Sequence, residues 1–223
     1  MAADSAVTNQ KGDVVHYTRK LHKIPRLSAG ISHYGISMLD EKTPIDKWLA
    51  DFTDEMANKD ASRRTFASTL RDELNKREPR ITDTLGLHIA GFEEAQDGKK
   101  YPSFDRILGN GQFTLETEPP HKYPIGCRIL KSDPKNIIYD DRAFNQFLKS
   151  LKSKSIAGGK PFQMPDPDSL RMRAEYLRFQ IVTISHLYTL SNQPKLIGGP
   201  VTTLSISEDD FQDYETRAEI LCF

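Results

Sequence analysis

Three positions near the amino terminus carry groups that chemistry can use. Asp4 closes a strand of small residues, Lys20 enters the strand after next, and Gly35 ends the strand that follows. Adjacent strands can bring the Asp4 carboxylate, the Lys20 ammonium and the Gly35 backbone N–H to one place, and a ligand can approach a glycine backbone closely. A simpler interpretation is that Asp4 and Lys20 form an ordinary cross-strand ion pair, which stabilises little when it is exposed.

These residues resemble the proteasome β-subunit and the related bacterial ATP-dependent peptidases, which are N-terminal-nucleophile hydrolases. That family has Ala-Ala-Asp-Ser at the end of its second strand and a lysine sixteen residues after the aspartate. Residues 2–5 here read Ala-Ala-Asp-Ser, and the interval from Asp4 to Lys20 is 20 − 4 = 16. With a strand ending in glycine, two helices and Gly198-Gly199-Pro200 before a late strand, the resemblance covers roughly residues 1–108 and 168–207.

The resemblance implies an α+β fold, the four-layer αββα sandwich, in a single domain over 1–223. It also implies a threonine-type peptidase, in which an amino-terminal hydroxyl attacks while its own α-amino group takes the proton. In those terms Lys20 keeps that amine basic but uncharged, and Asp4 holds Lys20. Gly35 would offer its N–H to the developing oxyanion.

The chain departs from the family pattern at its start and near its end. It begins inside Ala-Ala-Asp-Ser, so we expect an N-terminally truncated form that lacks the nucleophile strand, with Met1 an internal residue of a buried strand and the chain inactive as given. Pro194 and Ile197 replace an acidic residue and a serine, and Ala6 replaces an arginine. These losses favour the alternative, a non-catalytic subunit that keeps the fold for assembly or binding.

Composition limits the partners and the compartment. Lys plus Arg and Asp plus Glu both number 31, so no net field draws the chain to nucleic acid or to an anionic membrane. Cys127 and Cys222 have no His or Cys neighbour at metal-ligand spacing, and neither a signal peptide nor a spanning stretch is visible. We expect a cytoplasmic protein without metal or cofactor. The resemblance adds a peptide substrate and self-association into rings.

Periodicity predicts the elements that must position these residues. His33, close to the end of its strand, is predicted to line the substrate cleft, whereas His88 reads as a satisfied core residue. An irregular elaboration is expected over about 112–166. The predicted strands are 13–18, 20–24, 27–35, 84–92, 103–108, 113–116, 201–206 and, unless the end of the chain is a docked tail, 218–223; the predicted helices begin near 43, 62, 141 and 169.

The arrangement of some of these elements is also predicted. The nearly uninterrupted apolar run 84–92 indicates a strand buried on both faces, and the alternating strand 103–108 should pair with it in a hairpin that turns at Asp97-Gly98. The first two helices should cover one face of a sheet.

Overall fold

The computed structural model describes residues 1–8, 11, 13–57, 59, 62–77, 85–118, 155–156, 160–161, 170–190, 197–207 and 211–214. Within these residues the protein is a mixed α+β structure with antiparallel sheets. The strands are β1 (Ala2–Ala3), β2 (Ala6–Thr8), β3 (Val14–Tyr17), β4 (Leu21–Ile24), β5 (Ala29–Gly35), β6 (Leu85–Glu94), β7 (Lys100–Asn110), β8 (Gln112–Glu118), β9 (Ser155–Ile156), β10 (Lys160–Pro161), β11 (Thr202–Ile206) and β12 (Phe211–Tyr214). The helices are α1 (Ile45–Ala57), α2 (Arg63–Asn75) and α3 (Leu170–Leu190), with a 3₁₀ turn at Pro25–Leu27.

The largest sheet has the strand order β4-β5-β6-β7-β8. The predicted hairpin of β6 and β7 is confirmed, and it turns at Gly98 with a φ of 73°. Gly111, with a φ of 74°, makes the next turn into β8, so the strand predicted at 113–116 is confirmed as well. Glycine suits both turns because side-chain-bearing residues are strained at positive φ.

Helices α1 and α2 cover one face of this sheet, as predicted. Ser62 caps α2 by accepting a hydrogen bond from the backbone N–H of Thr65 at 3.1 Å. The apolar residues that recur at three- and four-residue steps on both helices pack against alternate residues of the strands. The fully buried members of this core with the largest side chains are Phe66, Phe113, Ile24, Ile31, Ile45, Leu49, Leu70, Leu74, Leu87, Ile89 and Ile107.

A smaller sheet, with the order β1-β11-β12, packs against β4 and β5. The contact is close at Gly30, where an added Cβ would lie 2.7 Å from Leu204 Cδ2. Helix α3 packs on β1 and β11. The sequence suggested that β6 is buried on both sides, but on the second face His88 and Ala90 are only half-buried. The reason is that the smaller sheet contacts β4 and β5, near one edge of the larger sheet.

Strands β2 and β3 form a separate two-stranded sheet, and β9 pairs with β10. Several predictions lie outside the described residues: the helix near 141, the last strand at 218–223 and most of the elaboration over 112–166. Residues 112–118, at the start of that range, form β8. None of the described helices combines the length and the apolar character that crossing a membrane requires.

Candidate functional site

Asp4 lies where the chain leaves the small sheet and enters the β2–β3 hairpin. Ala2 and Ala3 pair with Thr203 and Thr202 of β11. The backbone of Gly198, just before β11, forms hydrogen bonds with residues on both sides of this turn. Its N–H donates to Asp4 Oδ2 at 3.1 Å, and its carbonyl accepts from Ala6 N at 3.0 Å.

Lys20 reaches this turn from the beginning of β4. Its Nζ donates to Asp4 Oδ1 at 3.0 Å and to the carbonyl oxygen of Ala6 at 2.6 Å. The two charged side chains are mostly withdrawn from water, with exposures of 11% for Lys20 and 12% for Asp4. The predicted meeting of Asp4 and Lys20 is therefore confirmed, whereas their catalytic roles stay predictions.

Hydrogen bonds hold both side chains in place and leave one N–H donor of Lys20 available. Both Asp4 oxygens accept a hydrogen bond, one from an ammonium and one from a peptide N–H. An ammonium has three N–H donors, and described residues supply acceptors for two of those of Lys20. A firmly held cation with a remaining donor can raise the acidity of a neighbouring amine or stabilise a nearby negative charge.

Gly199 packs the site from the other side. Its φ is 74°, and an added Cβ would lie 2.5 Å from the Tyr17 ring and 2.7 Å from Ser5 Oγ. The Ser5 hydroxyl is buried and has no hydrogen-bond partner among the described residues. A glycine is thus required here both by backbone conformation and by space.

His33 follows Lys20 across the sheet, and its backbone N donates to the Lys20 carbonyl at 3.1 Å. The side chain is only 3% exposed, and neither ring nitrogen has a hydrogen-bond partner among the described residues. Its ring lies 6.2 Å from that of His22. Burial, aided by His22 and Lys20, lowers the pKa of His33 to about 3, so the imidazole is neutral. Its predicted contact with a substrate stays a prediction.

Asp46, in the first turn of α1, faces these histidines. Burial acts to raise its pKa, but the Thr18 hydroxyl and the Lys47 N–H outweigh that effect and lower it. Burial also lowers the pKa of His22, whose Nε2 lies 3.1 Å from the Arg19 carbonyl. The ionised Asp46 carboxylate thus lies near the neutral imidazoles of His22 and His33, and the charge of Lys20 also acts on His33.

Gly35 ends β5 in an exposed position with a φ of 99°. It lies two residues beyond His33, about 7 Å along the strand. No hydrogen bond of the described residues joins Gly35 to Asp4 or Lys20. The structure supports the need for glycine at this position, and its role as an oxyanion donor stays a prediction.

Sequence reasoning missed the residues that complete the site. Gly198 stood out only as part of a glycine doublet before a strand, and nothing local linked it to Asp4. Asp46 read as a helix-start acid, and His22 as one position of an alternating strand. The doublet was the best available signal, because two adjacent glycines before a strand indicate a close backbone approach.

No cluster of three or more His, Cys, Asp or Glu side chains within the described residues has the arrangement of a metal site. No family model matches the chain, and a search of the curated proteins finds no match either.

Proposed function

We propose that this chain is the scaffold of a threonine-type amide hydrolase of the N-terminal-nucleophile class, resembling the proteasome β-subunit. The observation that carries the proposal is the contact of Lys20 Nζ with Asp4 Oδ1 at 3.0 Å, held by the Gly198 N–H. The resemblance requires those two side chains, sixteen residues apart, to meet at the catalytic centre.

The packing of the elements supports the corresponding layer order. Helices α1 and α2 lie on the five-stranded sheet, the β1-β11-β12 sheet lies against its β4 and β5, and α3 lies on β1 and β11. From these contacts we infer the four layers of an αββα sandwich. Asp4 and Lys20 then lie at the end of the junction between its two sheets.

The proposed chemistry divides the work among a few groups. An amino-terminal Thr, Ser or Cys attacks the amide carbonyl, and its own amine receives the proton. Lys20 disfavours a second positive charge beside it, and Asp4 keeps the lysine in place. The third N–H of Lys20 is left for a further hydrogen-bond acceptor at the site. The peptide substrate, ring assembly and cytoplasmic location belong to the same proposal.

A second candidate is a non-catalytic subunit that keeps the fold for assembly. The replacement of the family's acidic residue and serine by Pro194 and Ile197 favours it. In that case the Asp4–Lys20 pair has the structural task of joining the β2–β3 hairpin to the small sheet.

The mature protein, purified from its natural source, separates the two. The amino-terminal residue is identified by intact mass and Edman sequencing, and hydrolysis of fluorogenic peptides is measured. The enzyme proposal expects Thr, Ser or Cys as first residue, on a strand ahead of Ala2, and a rate reduced about a hundredfold or more in Lys20→Ala. A mature form without such a residue and without hydrolysis would leave the non-catalytic role.

A further inference from the structure

A cleft between α2 and the edge strand β8 has a lining that the proposed hydrolase does not use. Its volume is about 510 Å³, within the usual range for small-ligand sites. The lining contains two guanidinium groups, several hydroxyls and no carboxylate. These residues are Ser62, Arg64, Thr65, Ser68, Arg71, Leu115 and Thr117.

The positive charges lie along one stripe of α2. Arg64, Ser68 and Arg71 are spaced by four and three residues, which places them on the same side of the helix. The two arginines are separated by about 10 Å along the helix axis, and both line the cleft together with Ser68.

The two arginines differ in their existing partners. Arg64 is exposed and forms no ion pair or hydrogen bond with any described residue. Its charge acts to lower the pKa of Asp105, but the Asp105 carboxylate is bound to Arg63. Arg71 already donates to Asp72 Oδ1, from Nε at 2.8 Å and from Nη2 at 2.6 Å. Asp72 does not line the cleft. Arg64 is therefore the principal cation available to a ligand, with Arg71 as second donor.

We propose that this cleft binds a small molecule through a phosphate group. A phosphate offers acceptor oxygens in several directions, and guanidinium groups bind it through parallel N–H donors. The hydroxyl of Ser68 already donates to the Thr65 carbonyl at 3.0 Å, so a ligand would compete for that proton. With the hydroxyls of the Ser62–Thr65 pair, which lie 2.9 Å apart, it completes a polar wall. The volume exceeds that of a phosphate alone, and the half-buried Leu115 supplies an apolar contact for the remainder of the ligand.

The test uses the full chain with inorganic phosphate and pyrophosphate as probes, at constant ionic strength, by calorimetric titration and by the shift in Tm. Ligand binding to the folded state raises Tm. We expect Arg64→Gln to weaken binding about tenfold, because the variant loses the charged hydrogen-bond donor to the phosphate. Arg64→Lys should lose part of that affinity, because it keeps the charge without the fork. Ser68→Ala should cause a smaller loss.

Arg77→Gln is the matched control, because Arg77 follows α2 but lies over Trp48 in a different groove, 5.4 Å from the ring centroid. It should bind both probes as the wild type does. Acetate at equal ionic strength is the carboxylate arm and should bind far more weakly. The proposal is overturned if neither probe binds the wild type, if Arg64→Gln binds as well as Arg77→Gln, or if acetate matches phosphate.

Discussion

Two withdrawn ion pairs serve different parts of the molecule. Asp4 and Lys20 join the turn after β1 to the start of β4, and their side chains are 12% and 11% exposed. Both carboxylate oxygens of Asp4 accept a hydrogen bond. Arg63 and Asp105 join α2 to β7 with exposures of 3% and 1%, and Arg63 Nη2 also donates to Glu93 at 2.9 Å. The second pair is the more deeply buried.

The hydrogen bonding separates the pairs further. Arg63 Nε, Asp105 Oδ1 and the Ser103 hydroxyl are buried without a partner among the described residues, so the interior pair is closed to ligands yet incompletely satisfied. The Asp4–Lys20 pair is well satisfied but has a donor left and some exposure. Deep burial therefore does not make a charged pair available to a ligand, whereas partial exposure leaves one donor of Lys20 accessible.

The largest effect should come from breaking the interior pair. Burial already raises the pKa of Asp105, and Arg63→Met leaves this carboxyl group without its ion-pair partner in the core. The free energy of unfolding should fall by about 3–5 kcal/mol. Urea unfolding followed by circular dichroism measures it. The double variant Arg63→Met/Asp105→Leu should recover most of the loss, because apolar groups of similar size replace a buried pair at little cost. A double variant as unstable as the single one would contradict this account.

The next effect tests how far the Asp4 site depends on backbone geometry. Gly199→Ala should cost about 2–3 kcal/mol, from positive φ and from the overlap with Tyr17 and Ser5. Gly98→Ala is a matched control, because its φ is 73° but no atom lies within 4 Å of an added Cβ. The control should cost about 1 kcal/mol, in the same urea experiment. Equal costs would mean that the close approach at Gly199 is unimportant.

Breaking the Asp4–Lys20 pair should cost less than breaking the interior pair. Lys20→Met removes two hydrogen bonds but leaves Asp4 bonded to the Gly198 N–H and partly hydrated, so we expect a loss of about 1–2 kcal/mol. The exposed Lys99→Met should change stability by less than about 0.5 kcal/mol. A loss equal to that of Arg63→Met would make the Asp4–Lys20 pair a principal structural anchor and remove the distinction between the pairs.

The smallest effect concerns acid sensitivity beside Lys20. The pKa of His33 is lowered to about 3 when folded, whereas an unfolded histidine has a pKa near 6.5. As pH falls below 6.5, His33 binds a proton in the unfolded chain but not in the folded one. The free energy of unfolding therefore decreases as the pH falls toward 3. His33→Phe should remove about 1 kcal/mol of the loss between pH 6 and 5. Denaturant midpoints across that range measure it, with the variant His186→Phe, at an exposed position of α3, as the matched control.

Local pattern predicted the elements well where one signal dominated. Phe66, Leu70 and Leu74 keep a helical step and are fully buried in α2. Gly98 marked the β6–β7 turn correctly. The alternation in β7 was misleading, because Ser103 and Asp105 face the core with Ile107 while Phe104 is only half-buried. The cation that makes Asp105 tolerable there comes from Arg63, 42 residues earlier.

The site shows the same limit. Asp4 and Lys20 were paired through a family resemblance in type and spacing, not through any local rule. Gly198 could not be joined to Asp4 in this way, since 194 residues separate them and no periodicity carries across that interval. Burial of His33 was equally invisible, because a histidine at a strand end reads the same whether a helix residue such as Asp46 covers it or solvent does.

The hydrogen bond between Asp4 and Gly198 also determines when the site can form during protein synthesis. Asp4 is translated 194 residues before its peptide partner Gly198. At about 5–20 residues per second, that interval lasts about 10–40 s. Throughout that interval β1 has no β11 to pair with, so its backbone hydrogen-bonding groups lack their native partners and are open to mispairing.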